Sequence, residues 1–339
     1  MVRCAFAAGA VLLAAGVAAA SASGWDVVKI EGHDYVSVES MKRFYNFTKL
    51  TRTGSSVVLE KAGLNGKGGV EMNLKLGGNE CLMNGVKFVF TYSVAALGEK
   101  TYVSRMDLAK LIDPVLRPTY IRNAGDFRTV ILDPGHGGKD AGATNALGTE
   151  ATYNLKIAGM VKTLLAAQGF KVVMTRSSNV YLTLQERVDI ANAIQENAIF
   201  ICIHFNAGGP GARGIETFTL SPPGVSHYGS DVKASDSLMY AGNEHDSANI
   251  ALATAVHGTV LRKLGENTFD RGIKHARFSV LSGVRHPAIL LEGGFLTHPY
   301  EARMIENPKY QDALAKGVVE AIAKYQFAVR KNPSHQPAN

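Results

Sequence analysis

A chain of 339 residues is long enough for two domains, each with a core of its own, and its formal net charge is +7. Hydrophobic residues at 46% and charged residues at 19% exclude general disorder and a coiled coil. Three cysteines, none in a C-x-x-C pair, exclude a disulfide scaffold, a zinc finger and a thioredoxin-like redox site.

At the start of the chain, Arg3 is the last charge before Asp26. The stretch between them is mostly Ala, Val and Leu, with small residues at Ala18, Ala20 and Ala22. A basic start, an apolar middle and a small-residue end read as a secretory signal peptide over residues 1–23, and an uncleaved anchor helix is the alternative. Cys4 precedes the apolar run and so does not stand at a lipidation position. No other segment is long and apolar enough to span a bilayer, so the expectation is an exported protein of the periplasm or cell wall, not inserted in the membrane after cleavage. The basic charge is spread without dense Lys/Arg runs, which together with export argues against nucleic acid. An anionic wall polymer fits this charge, and so does plain solubility. Cys81 and Cys202 fall in different expected domains, so no disulfide between them is expected.

Residues 25–116 read as a small α+β domain. Short β-like stretches at 27–30, 57–59, 70–76 and 86–90 are separated by glycines. Two segments repeat: Asp34-Tyr35-Val36-Ser37 before 38–47, and Thr101-Tyr102-Val103-Ser104 before 105–112. In each, a Tyr-Val strand turns at a serine able to cap a short helix. This arrangement resembles the N-terminal domain of copper amine oxidases, which implies a binding or scaffolding role. Residues 117–127, with Pro118, Asn123 and Gly125, form the expected linker.

The pattern then alternates. Strands are expected at 129–133, 171–175, 198–205, 214–220, near 278–281 and at 288–292, and helices at 153–168, 182–197, 246–264 and 308–327. A polar tail fills 328–339. The expected fold for 128–327 is therefore α/β, a mainly parallel sheet with helices on both faces. Such sheets bind ligands at the carboxyl ends of their strands.

The polar residues at those ends are the candidates. The first strand runs into Asp133-Pro134-Gly135-His136-Gly137-Gly138, a turn where backbone can approach an ion closely. The third strand ends in His204 after a buried run, and the last core strand ends in Glu292 after four apolar residues. A histidine in a glycine turn or at a strand end can be structural, but an unpaired carboxylate in such a place is costly without a purpose.

These motifs, with Gly148-Thr149-Glu150, Thr175-Arg176, Gln185-Glu186-Arg187, Ile203-His204-Phe205-Asn206-Ala207, Arg271-Gly272-Ile273-Lys274 and Leu291-Glu292-Gly293-Gly294-Phe295, make the run from Val130 to Tyr325 resemble the zinc-dependent N-acetylmuramoyl-L-alanine amidases of type 3. The resemblance implies that His136, Glu150 and His204 bind zinc (Zn2+), that Glu292 is the catalytic carboxylate, and that the substrate is peptidoglycan. Two imidazoles and a carboxylate form a catalytic zinc set with a fourth position open. Asp133 and Asn206 are candidates to orient the ligands, or else ordinary turn and strand-end residues. His275 is a further groove candidate. This chain departs from the family pattern at Gly293, at His298 and at Asn179. A zinc peptidase acting on stem peptides and a non-catalytic wall-binding protein are the competing readings. The segment 221–245, rich in Gly, Pro and Ser, is expected to be a mobile rim rather than a plugging helix, so an activator protein is not expected.

Overall fold

The computed structural model describes residues 24–63, 68–117, 121–266 and 268–330. The expected signal segment 1–23, the tail from 331 onward and residues 118–120 of the expected linker lie outside them.

The first region opens with a hairpin, β1 (Val27–Ile30) and β2 (His33–Ser37), and helix α1 (Val38–Phe44). A meander of five antiparallel neighbours follows: β3 (Lys49–Thr53), β4 (Ser56–Lys61), β5 (Val70–Lys75), β6 (Glu80–Met83) and β7 (Val86–Val89). Then β8 (Ala95–Leu97) and β9 (Lys100–Ser104) return to close a four-stranded sheet with β1 and β2. The chain turns next into α2 (Arg105–Asp107), a π-helical turn (Leu108–Ile112) and α3 (Asp113–Leu116). Both repeated serines act as caps: Ser37 accepts the Ser40 N–H, and Ser104 accepts the Asp107 N–H. Each satisfies a donor that the first helical turn leaves free.

The second region alternates as its pattern implies. It comprises β10 (Thr129–Pro134), the short hairpin β11 (Thr144–Asn145) and β12 (Gly148–Thr149), α4 (Glu150–Ala167), β13 (Lys171–Met174), α5 (Leu184–Asn192), β14 (Ala198–Asn206) and β15 (Ile215–Leu220). After two 3₁₀ turns, Ala234–Ser237 and Ala241–His245, come α6 (Asp246–Leu264), β16 (Asp270–Ala276), α7 (Ser279–Gly283), β17 (Ala288–Phe295), α8 (Pro299–Glu306) and α9 (Pro308–Arg330). The strand expected near 278–281 is a correction: those residues enter the short helix α7. The strand lies earlier, at β16, where charged residues masked it because their partners are inside the fold.

Apart from the hairpin β11–β12, these strands join the meander in one sheet of order β13-β10-β14-β17-β15-β16-β7-β6-β5-β4-β3. Among the second-region strands of this sheet every neighbouring pair is parallel except β15 with β17. The meander of the first region continues the same sheet, with β7 parallel to β16 through Phe88 and Ile273. Alternation along the central strands feeds two cores. Val130, Leu132, Ile201, Ile203 and Leu291 face a large cluster that also holds α4, α6, α9 and residues of the first region such as Phe88 and Ile112. Ile131, Phe200, Cys202, Phe218 and Leu290 face a smaller cluster with Val188 of α5 and Leu281 of α7. Among the described residues no helix is long and apolar enough to cross a membrane. Cys81 and Cys202 are both buried free thiols.

Candidate metal centre and active site

The carboxyl ends of β10 and β14 and the first residue of α4 bring three side chains together. One nitrogen each of His136 and His204 and a carboxylate oxygen of Glu150 lie within 4.8 Å of one another. Glu150 Oε1 is 3.2 Å from His136 Nε2 and 2.8 Å from His204 Nδ1. The turn that carries His136 needs its glycines: a Cβ on Gly135 would lie 2.1 Å from His204 Nε2, and one on Gly142 would lie 2.5 Å from Glu150 Oε2. Backbone therefore comes as near the cluster as van der Waals contact permits.

Two buried arginines hold this turn by its carbonyls. Arg176 donates through Nε to Pro134 O at 2.9 Å and through Nη2 to Gly135 O and Ala151 O, both at 2.8 Å. Arg187 donates to Pro134 O and to His136 O, each at 2.8 Å, and pairs with Asp133 at 2.7 Å. Guanidinium forks suit such convergent acceptors. Asp133 thus anchors Arg187, Thr175 and the Cys202 thiol rather than touching a ligand. Asn206 donates instead to Glu216 at 3.2 Å.

The residue that does contact the cluster is Asp140. Its Oδ2 sits 2.8 Å from His136 Nδ1, leaving Nε2 directed at Glu150. Asn154 ties the cluster to the turn, donating to Gly135 O at 3.1 Å and to Glu150 Oε1 at 3.4 Å. Burial opposes ionisation of Glu150, but hydrogen bonds from His136 and His204 and the Ala143 N–H outweigh it and hold the carboxyl well below its usual range. Glu150 in turn raises the pKa of His136. A compact, ionised carboxylate between two imidazoles is a donor set that fits zinc.

Glu292 stands beside His204 in the register of parallel β17 and β14, so the fourth candidate joins the cluster. Burial pushes its carboxyl well above the usual range, and the negative charges of Glu150 and Glu216 add to that. Its Oε2 is buried and has no hydrogen-bond partner. His275 is not in this group: it is buried against Thr219, with Nδ1 3.0 Å from the hydroxyl. At the departures from the family pattern, Asn179 accepts the Gly138 N–H at 3.0 Å and His298 caps α8 by accepting the Glu301 N–H.

Residues 130–324 match the family described as N-acetylmuramoyl-L-alanine amidase. The Bacillus subtilis (strain 168) protein YqiI is 32% identical over 198 residues, 58% of this chain and 84% of that protein. The germination-specific N-acetylmuramoyl-L-alanine amidase of the same organism is 31% identical over 220 residues, 61% of this chain and 82% of the relative. The solved N-acetylmuramoyl-L-alanine amidase of Clostridium difficile 630 is 33% identical, and the match covers 59% of this chain and 97% of that one with a TM-score of 0.49.

Proposed function

Because the chain belongs to the N-acetylmuramoyl-L-alanine amidase family, we propose that it hydrolyses the amide between N-acetylmuramic acid and L-alanine in peptidoglycan, with zinc held by His136, Glu150 and His204 and with Glu292 moving the proton. The observation that carries this reading is the convergence of the two imidazoles and one ionised carboxylate at strand ends, with Glu292 in register beside His204. When bound, zinc supplies a Lewis acid that makes hydroxide available near neutral pH and stabilises charge on an amide oxygen. The chain's own groups do the rest. Asp140 fixes the His136 ring, and Arg176 and Arg187 keep the turn beneath it rigid. Glu292 takes the proton of the attacking water on its carboxylate and delivers it to the leaving nitrogen of L-alanine. Burial and the nearby anions raise its proton affinity, which favours the first of these transfers. The exported location, in a periplasm or cell wall, belongs to the same proposal.

The test is digestion of purified peptidoglycan by residues 25–339, with and without a chelator, followed by mass spectrometry. The expected products are stem peptides beginning at L-alanine and glycan strands with free lactyl carboxylates, and neither should form when metal is removed. Cleavage inside the stem peptides would assign a peptidase instead, and binding without release of fragments would leave a wall-binding protein.

A further inference from the structure

Glu292 has a second carboxylate neighbour. Glu216 of β15 stands directly opposite it across the antiparallel pair, while His204 flanks it from β14. Period-two alternation puts all three, and Lys274 of β16, on the face of Cys202, Leu290, Phe218 and Ala276. The charged groups around Glu292 are thus Glu150 from α4, His204 from β14, Glu216 from β15 and, beyond it, Arg271 and Lys274 from β16. Two carboxyl groups side by side in a site of low polarity tend to share one proton, which would occupy Glu292.

The structure holds Glu216 to the other side. Both of its oxygens are engaged by donors: Oε1 accepts from Arg271 Nε at 2.5 Å and from Asn206 Nδ2 at 3.2 Å, and Oε2 accepts from Lys274 Nζ. Lys274 is only 2% exposed and Glu216 only 3%. The ammonium otherwise meets aromatic rings, Tyr228 at 4.1 Å and Phe218 at 5.8 Å. Arg271 is more exposed, and its guanidinium also lies over the Phe295 ring at 4.8 Å. A buried cation is costly unless paired, so removing either Lys274 or Glu216 alone leaves the other as an uncompensated buried charge. With both Glu216 oxygens engaged, Glu292 Oε2 is left buried and unpartnered.

We propose that Lys274 is a positioning residue for amide hydrolysis: its ammonium holds the Glu216 carboxylate toward β16 and so keeps the Glu292 carboxylate free for the reacting water. The inference rests on the reading of Glu292 given above. Without Lys274, Arg271 and Asn206 still hold Glu216 Oε1, but Oε2 loses its ammonium donor and is left to share a proton with the Glu292 carboxyl directly opposite, and that proton is no longer available for turnover.

Four variants test this: Lys274→Met, Lys274→Arg, Glu216→Gln and the double variant Lys274→Met/Glu216→Gln. For each, kcat and KM on a soluble muramyl peptide, zinc per chain and thermal unfolding are measured. Lys274→Met is expected to lose about 100-fold in kcat, with KM within about twofold and zinc retained. The double variant, which has no carboxylate left to restrain, is expected to recover to within about tenfold of the wild type, and Lys274→Arg to keep most of its turnover. Unchanged kcat in zinc-loaded Lys274→Met would overturn the proposal, and so would a loss that Glu216→Gln does not relieve. If Lys274→Met fails to fold, the double variant is compared with Glu216→Gln alone. Similar kcat in those two supports the proposal, and a deep further loss in the double variant overturns it. A wild-type protein that releases no amidase product would instead refute the proposed function, an outcome distinct from an active wild type indifferent to Lys274.

Discussion

Asp140 Oδ2 lies 2.8 Å from His136 Nδ1, and on the other edge of the same ring Nε2 lies 3.2 Å from Glu150 Oε1. The Asp140 carboxylate therefore fixes the tilt of the imidazole and, were a metal bound at Nε2, would keep the ring proton on Nδ1. His136 itself sits on left-handed backbone, φ 60°, between two glycines, a conformation that a non-glycine residue adopts only when the surroundings enforce it. Arg187 enforces it here by binding the His136 carbonyl.

Asp140→Ala should accordingly weaken zinc binding by about 10- to 100-fold while the saturated enzyme keeps much of its turnover. Titration against a competing chelator, paired with rates at saturating zinc, separates the two effects. Equal affinity in wild type and variant would mean that the turn alone orients His136.

Glu292→Gln removes the proton carrier and leaves every metal donor in place. The variant should hold about one zinc per chain and lose about 10²- to 10⁴-fold in kcat. Metal analysis and steady-state rates on the same preparation check this, and near-normal turnover would take Glu292 out of its role.

Much of this candidate site was legible because strand ends expose function in an α/β sheet: His204 and Glu292 each interrupt an apolar run, and His136 stands in the glycine turn that follows another. Asp140 was not legible, since a carboxylate four residues after a histidine in a glycine turn looks like any solvated turn residue. β16 was hidden for a related reason. Its Arg271, Lys274 and His275 break the apolar pattern of a strand, yet in the fold Lys274 pairs with Glu216 and His275 with Thr219, so most of the strand is buried with these groups partnered. The continuation of the sheet into β7 was beyond any local pattern. It rests on Phe88 meeting Ile273 across a long stretch of chain, aided by Asp270 accepting the Lys87 N–H at 2.8 Å.

The burial of His275 has a consequence for stability. Burial lowers its pKa to about 4, with Arg277 and Lys110 adding to the effect, whereas the unfolded chain titrates near the ordinary value of about 6.5. Between those values the unfolded chain binds the proton and the folded one does not. Stability is therefore lost as pH falls from about 6.5 toward about 4, by up to about 3 kcal/mol from this group. His275→Asn should flatten that part of the stability–pH curve, as read by urea unfolding at several pH values. Curves for wild type and variant that fall in parallel would assign the loss to other groups.

The segment 221–245 bears on regulation. It contains two 3₁₀ turns and, among its described residues, no α-helix laid over the metal cluster. Arg277 holds it from beneath, donating to the carbonyls of Val225 and Asp236 at 2.7 Å each and pairing with the Asp236 carboxylate at 3.2 Å. Between these anchors 229–235 is exposed. Tyr228, Ser230 and Asp231 face Asn79, Phe90 and Thr91 of the first region across a cavity of about 390 Å³. A strap anchored at the sides and open in the middle shapes the rim of a groove without sealing it. Limited proteolysis should therefore cut first within 229–235. Replacing 229–235 by a short glycine linker should alter the preference among wall fragments while changing the basal rate on a small muramyl peptide by less than about threefold. The intact enzyme should digest wall without any added activator. A large rise in basal rate after the replacement would show instead that the strap restrains the enzyme.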